Sequence, residues 1–428
     1  MFKVNNIRFT DSGKKINYDY TYDKVISRFF NKKERFYSSY NIDVSNVPDS
    51  IAVIPLLVNI MPISWFAGFD VFVDELDKEF LQSLEQIKKE FVKNHPEIKP
   101  LESKLIVNKE IKNVYEVNQV AMLFSGGVDA YTTFFRHYDK KPHLITIHGA
   151  DVEIEDIEQW QRVIQINKEE PVLKNNKKHY IESNVRTFYT HQVDLLLPNL
   201  GWWGKVQHGL SLNGLVAPLS YVEGYQENYI ASSYTDNIKI AWGSTPEIDN
   251  SIKWGNTRVI HDGYELKRQD KIDFIVNFIR DSKGFVNLRV CYSLLNESVN
   301  CGKCEKCLRT IIAIILNNES PNRFGFETDE RVYSQIIKTF EKGIESKGTK
   351  YFWWEISEKI KNTSSIYIFK DEKKEKEKLR ELNGIITQKL TEVVGSKKRE
   401  FVSRLKFRLR RKFPKTFNYY LKLRQRKI

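Results

Sequence analysis

Cysteine is nearly absent from this 428-residue chain: there are four, and all fall between positions 291 and 307. A secreted scaffold stapled by disulfides spreads its cysteines over distant segments, so that class is excluded. The N-terminal stretch MFKVNNIRFTDSGKK lacks the apolar core of a secretory leader. Long apolar runs are scarce too. Ser50–Phe69 carries no charge, yet Pro55, Asn59, Pro62 and Ser64 interrupt it. A lipid-facing helix must satisfy every backbone group, and prolines break that ladder. The expectation for this stretch is therefore buried strands of a globular domain, not a membrane span. Most of the chain also lacks a net charge. The total is +13, but residues 397–428 hold 14 of the 68 Lys and Arg and only one of the 55 acids. The remainder has 54 of each sign, so the body carries no global field for nucleic acid.

What the chain does have is concentrated in two motifs. The first is CYSLLNESVNCGKCEKC, which spaces Cys291, Cys301, Cys304 and Cys307 as C-x9-C-x2-C-x2-C. A C-x2-C pair lets two thiolates curl onto one ion, and Gly302 permits the tight turn. Four thiolates make a closed tetrahedral site, the pattern of structural zinc. Two disulfides or four unrelated thiols are the alternatives. Lys303, Lys306 and Arg309 lie alongside and would offset the negative centre. Thiolate–zinc chemistry with no other cysteine implies a reducing, cytoplasmic setting.

Around these motifs the chain divides into four parts. Residues 1–116 open with strand-like alternation over Lys15–Tyr22, and helical spacing of Leu76, Phe80, Leu84 and Ile87 predicts a helix over Asp74–Asn94. They form an N-terminal α+β accessory domain. Over 117–325 strands and helices alternate. Strands are expected at Val117–Phe124, His143–Ile147, Arg186–Tyr189 or a neighbour, Tyr229–Ser232 and Val286–Val290. Helices are expected at Ala130–Tyr138, Asp156–Lys168, Gly214–Tyr225, Asp270–Arg280 and Cys304–Leu316. This alternation predicts an α/β domain, a parallel sheet with helices on both faces. Residues 326–396 read as a helical extension, with Lys370–Leu382 a solvated face. Residues 397–428 form a basic tail in which Phe401, Leu405, Leu409 and Phe413 recur every four residues. Such an amphipathic helix suits a partner protein, an anionic membrane surface or RNA.

The second motif is Ser125-Gly126-Gly127-Val128-Asp129-Ala130, placed between the first expected strand and helix of the α/β domain. Strand exits in such sheets are where ligands bind. Glycines bare their amides, a helix N-terminus adds positive potential, and Ser125 brings a hydroxyl. Together they suit phosphate. The loop is neither a Walker loop nor a G-x-G-x-x-G fingerprint.

The loop resembles the PP-loop, SGGxDS, of the ATP pyrophosphatases, enzymes that split ATP between the α and β phosphates. The cysteine knuckle and the following LRTIIAI narrow the resemblance to the QueC-like 7-cyano-7-deazaguanine synthases, over residues 117–320. The resemblance implies a PP-loop (HUP-like) fold, ATP with Mg²⁺, structural Zn²⁺, and an adenylating ligase that activates a carboxylate for attack by an amine or ammonia. The acceptor would be a small acid or a deazapurine-like base, and relatives in defence systems would suit a protein acceptor. A non-catalytic nucleotide-binding partner protein and an RNA-modifying PP-loop enzyme are the alternatives.

Residue by residue, Ser125, Gly126, Gly127 and Val128 would hold the phosphates. Asp129 would hold Mg²⁺, order the loop or cap the helix. Ile147 and His148 would meet the adenine edge, His148 alternatively serving as a structural hydrogen bonder. Arg268 would reach the phosphates. His208, Ser211, Gly243 and Asp249 fall where the family contacts its substrate. Two departures stand out: Ala130 replaces the motif's second serine, and His208-Gly209-Leu210-Ser211 replaces a turn that carries an arginine beside the deazapurine pocket. Trp202 and Trp203 would stack on a planar ring or pack in the core.

Overall fold

A computed structural model describes residues 1–96, 103–197, 201–291, 299–341, 343–344 and 346–391, together with Leu405 and Phe413. The basic tail over 397–428 thus lies, apart from those two exposed residues, outside the described residues.

The strands, in chain order, are β1 (Phe2–Thr10), β2 (Lys15–Tyr22), β3 (Tyr37–Tyr40), β4 (Val71–Asp77), β5 (Leu105–Ile111), β6 (Gln119–Leu123), β7 (His143–His148), β8 (Lys178–Ser183), β9 (Tyr225–Ala231), β10 (Lys253–Trp254) and β11 (Thr257–Asp262). All eleven join one sheet in the order β10-β11-β9-β6-β7-β8-β3-β2-β1-β4-β5. The stretch β11-β9-β6-β7-β8 is parallel throughout. It connects to the N-terminal strands through the antiparallel pairing of Ser38–Tyr40 with Ile181–Ser183. Helices flank the sheet, so the α/β class with a large, mostly parallel sheet holds. A hydrophobic core runs continuously from Phe2 and Val4 through Ile145, Leu219 and Trp254.

Several local expectations change. Ser50–Phe69 forms no strand. Ile54–Ala67 is a helix whose residues Ile54 through Trp65 are all buried, with Pro62 inside it. A run that is apolar all round carries no period to separate strand from helix, and length decides. Asn59 Nδ2 donates to the Pro55 carbonyl at 2.8 Å, and its amide oxygen accepts from Gln207 Nε2. No described helix is long and apolar enough to cross a membrane. The helix foreseen over Asp74–Asn94 starts at Lys78, capped by the Asp77 carboxylate, because Val71–Asp77 joins the sheet. The strand foreseen near Arg186–Tyr189 is Lys178–Ser183. Gly214–Tyr225 divides between the ends of helices His208–Gly214 and Ala217–Glu223 and the start of β9.

Val286–Val290 is extended but belongs to no strand. Its amides at Val286 and Leu288 pair with the Arg323 and Phe324 carbonyls of a turn, and Arg289 N donates to Gly126 O at 2.6 Å. The sheet position beside β9 goes to β11, which the sequence pattern missed. Among the described residues beyond 326 the helices are Val332–Glu341, Lys347–Lys361 and Glu372–Thr391.

Candidate functional site

From β6 the chain proceeds to β7 and β8 on one side, then crosses to β9 and β11 on the other. Side chains and helices diverge at such a reversal, and a crevice opens at the carboxyl ends of the strands. Leu123, Ile145, Thr146, Ile147, Ile230 and Ala231 line the crevice here, with Asp151 and His208 at its sides. The loop Ser125–Gly127 leaves β6 at its floor.

Gly126 holds φ +74°, a left-handed conformation that favours glycine. It turns the chain so that Gly127 becomes the N-cap of helix Val128–Arg136. The amides of Gly126, Val128 and Asp129 find no acceptor among the described residues, and Gly127 N reaches only Ser125 Oγ at 3.4 Å. A carbon added at Gly127 would meet nothing closer than the Arg289 carbonyl at 3.4 Å. The protein leaves that space clear.

A second pocket continues from the first across Ser125, Asp129 and Arg289. Its far wall carries Arg268, Arg289, Lys306 and Arg309. Asp129 accepts from Arg268 Nη2 at 2.9 Å and Lys271 Nζ at 3.0 Å. Burial alone would raise the Asp129 carboxyl, but Arg268 and Lys271 outweigh it and hold the group below the usual carboxylate range. Burial lowers Lys271 and Lys306, Asp129 opposing the first and Asp151 the second. Burial likewise pulls Arg309 down to about 10, with Glu305 opposing. Arg268 Nε and Arg289 Nη1 are buried without a hydrogen-bond partner among the described residues. Four cations around one doubly paired carboxylate leave a net positive hollow, facing bare amides.

The cysteines build this wall. Cys291–Cys304 and Cys301–Cys307 sulfurs lie 3.8 Å apart and Cys304–Cys307 3.5 Å, with no disulfide. A tetrahedron with Zn–S bonds of about 2.3 Å has edges of about 3.8 Å, so the set fits a metal ion such as zinc. The amides of Lys303 and Cys304 point at Cys301 Sγ, and Gly302 turns at φ +65°. Cys304 caps helix Glu305–Ile315, which presents Lys306 and Arg309, while Cys291 sits two residues after Arg289. One knuckle therefore positions three of the four cations. The C-terminal helices back the same wall. Phe352 lies under Arg309 at 4.4 Å and Arg268 at 5.1 Å, and the Glu355 carboxylate accepts from Gln269 N at 3.0 Å.

The remaining sequence candidates separate. Ile147 lines the crevice, but His148 does not. It is fully buried, stacked on Trp160 at 4.6 Å, with Nδ1 facing Glu182 at 3.1 Å and Nε2 facing the Glu153 carbonyl at 3.2 Å. His208 lines the crevice with Nδ1 unpartnered among the described residues, and burial lowers its imidazole below the ordinary range, Asp151 and Asp249 opposing. Ser211 is buried in the same helix, its hydroxyl unpaired among the described residues. Gly243 packs backbone to backbone, its amide on the Gly204 carbonyl at 2.8 Å and a built Cβ 2.7 Å from Val206 C. Asp249 is fully buried, accepting from Ser244 Oγ at 2.6 Å and bound to His261 Nδ1 at 2.7 Å. Neither Gly243 nor Asp249 lines either pocket. Trp202 is core, edge-on to Phe66, while Trp203 lies under the Arg186 guanidinium and edge-on to His208. Sequence reasoning missed Arg289 and Asp151. Arg289 stands two positions before the first cysteine, a spacing that could have flagged it.

Comparison with known proteins found no matching family model, no matching curated protein and no matching solved structure.

Proposed function

We propose that the chain is an ATP-dependent adenylating enzyme of the PP-loop type, forming a C–N bond from a carboxylate and an amine or ammonia. One observation carries this reading: an apolar crevice at the strand exits runs straight into a hollow of bare amides and four cations. Those two halves suit a nucleoside and a polyphosphate.

The strand ends at Ile145–Ile147 take the adenine, and the Ser125–Gly127 loop takes the β and γ phosphates. The substrate carboxylate attacks the α-phosphorus, and pyrophosphate departs into charge that is already in place. Preorganised donors of this kind act where negative charge develops. The resulting acyl adenylate is attacked by the amine at its carbonyl carbon, and AMP leaves. His208, neutral and lining the crevice, takes the proton from the attacking amine. Both Asp129 oxygens are engaged by Arg268 and Lys271, so Asp129 orders the cations. Asp151, the other carboxylate on the crevice wall, suits Mg²⁺ carried by the phosphates. Bound there, Mg²⁺ would neutralise charge on the leaving pyrophosphate.

The test is product analysis with ATP, Mg²⁺ and a carboxy-deazaguanine, with and without ammonia. AMP and pyrophosphate in equal amounts, dependent on the acid, support the reading. ADP and phosphate, or no turnover with any carboxylic acid, would overturn it. AMP formed with a different acid while deazaguanine stays unchanged keeps the reaction class and moves the substrate.

A further inference from the structure

The opposite edge of the parallel sheet gathers another set of ligand-type side chains. His143 opens β7, His179 is the second residue of β8, and Glu223 ends helix Ala217–Glu223 just before β9. Parallel pairing of Ile145 with His179 brings the two strand starts side by side. Gly224, at φ +69°, ends the helix so that Glu223 stays beside them. His143 Nδ1 lies 3.6 Å from Glu223 Oε2, and His179 Nε2 lies 3.7 Å from Oε1. One donor atom of each residue falls within 4.8 Å of the others.

His179 is the observation that points outward. Its side chain is 1% exposed, and neither ring nitrogen makes a hydrogen bond among the described residues. A buried imidazole with two unsatisfied nitrogens is costly unless a partner from outside the chain completes it.

We propose that His143, His179 and Glu223 bind one divalent transition ion of the zinc class, separate from the cysteine knuckle. Two imidazoles and one carboxylate are a three-ligand zinc set that leaves a fourth position open. Magnesium and calcium prefer all-oxygen shells, so they fit poorly. Bonds of about 2.0–2.1 Å give a tetrahedral edge of about 3.4 Å; the two His–Glu separations of 3.6 and 3.7 Å exceed it by a few tenths of an ångström, and the whole donor set, within 4.8 Å, contracts onto the ion. Lys177 is the competitor. Its Nζ lies 2.6 and 2.8 Å from the two Glu223 oxygens, and its side chain is 52% exposed, free to swing into water. The Tyr225 hydroxyl lies 3.1 Å from His143 Nδ1. Remote from the crevice, the ion would tie the starts of β7, β8 and β9 together.

Cobalt titration of the full chain, stripped by chelator, distinguishes the two sites. A four-thiolate cobalt centre shows sulfur-to-metal charge transfer, and a nitrogen–oxygen centre shows only weak visible bands. Two Co²⁺ per chain are expected, one without charge transfer. Outer-shell losses alone cost metal sites roughly 10–100-fold, so His179→Ala and Glu223→Gln should weaken the second site by at least tenfold. Lys177→Ala, which removes the competitor from an exposed position, should strengthen it. A single Co²⁺ per chain in the wild type, or a second one retained unchanged by both ligand variants, would overturn the proposal.

Discussion

Gly127→Ala separates the proposed polyphosphate cradle from the stability of the fold. Gly127 has φ −83° and ψ 174°, a conformation open to any residue. The added methyl would meet the Arg289 carbonyl at 3.4 Å and Ser125 Oγ at 3.5 Å, ordinary contact distances. Two small folding terms oppose each other. Alanine lowers the entropy of the unfolded chain, worth about 0.4–1 kcal/mol in favour of folding. It is also a poorer N-cap than glycine, by about the same amount. The net change should be within about 0.5 kcal/mol. Gly126→Ala differs, because at φ +74° a side chain costs about 1–2 kcal/mol. A methyl at 127 stands on the pocket wall among the bare amides, where a phosphate oxygen needs to approach within hydrogen-bond distance. ATP affinity should therefore fall at least tenfold, about 1.4 kcal/mol. Thermal unfolding and calorimetric titration with ATP measure the two quantities on one preparation. Unchanged ATP affinity in a folded Gly127→Ala protein would refute the claim that these amides grip phosphate.

Three further outcomes follow from the same geometry. Arg289→Ala should weaken ATP far more than adenosine, since Arg289 lines the hollow proposed for the phosphates; equal losses in competition binding would place its role elsewhere. Cys304→Ser should lower the thermal midpoint and ATP affinity together, because Cys304 joins the thiolate set and directly precedes the helix that carries Lys306 and Arg309; serine is a good N-cap, so the effect reads the thiolate and not the helix start. Loss of one without the other would uncouple the knuckle from the pocket. Glu355 gives a pH signature: burial pushes its carboxyl up to about 7, with the Gln269 amide opposing. A raised carboxyl contributes stability that is full below its unfolded value of about 4.3 and is lost as pH rises through about 7. The loss approaches about 4 kcal/mol above that pH. Glu355→Gln should flatten stability between pH 5 and 8 in urea titrations, and an unchanged slope would contradict the assignment.

Local features were legible where the chemistry is local. Lys15–Tyr22 alternates with period two and is a strand over that span. The cysteine spacing needs only a short turn to bring its sulfurs together, and Ser125–Gly127 lies at a strand exit as its composition implied. Features that depend on distant partners were not legible. Ile54–Ala67 has no polar face to mark it as a helix, and its burial comes from elements such as helix His208–Gly214, where Gly214 leaves room for Val58. The strand Thr257–Asp262 is short and polar at both ends, and its pairing with β9 and β10 makes it a strand. His148 sits one residue beyond Ile147, yet strand alternation and the Trp160 ring turn it away from the crevice.

By itself the sequence determined the bare-amide turn and the four-thiolate set, because glycine's backbone freedom and ligand spacing act over a few residues. The tertiary structure decided that the N-terminal strands and the parallel strands share one sheet, through pairing of β3 with β8 more than 140 residues away. It also decided that Arg268, Arg289, Lys306 and Arg309 converge on that turn. Like charges repel, so no local pattern draws them together. The cysteine knuckle, the Phe352 ring and the Asp129 carboxylate hold them in place.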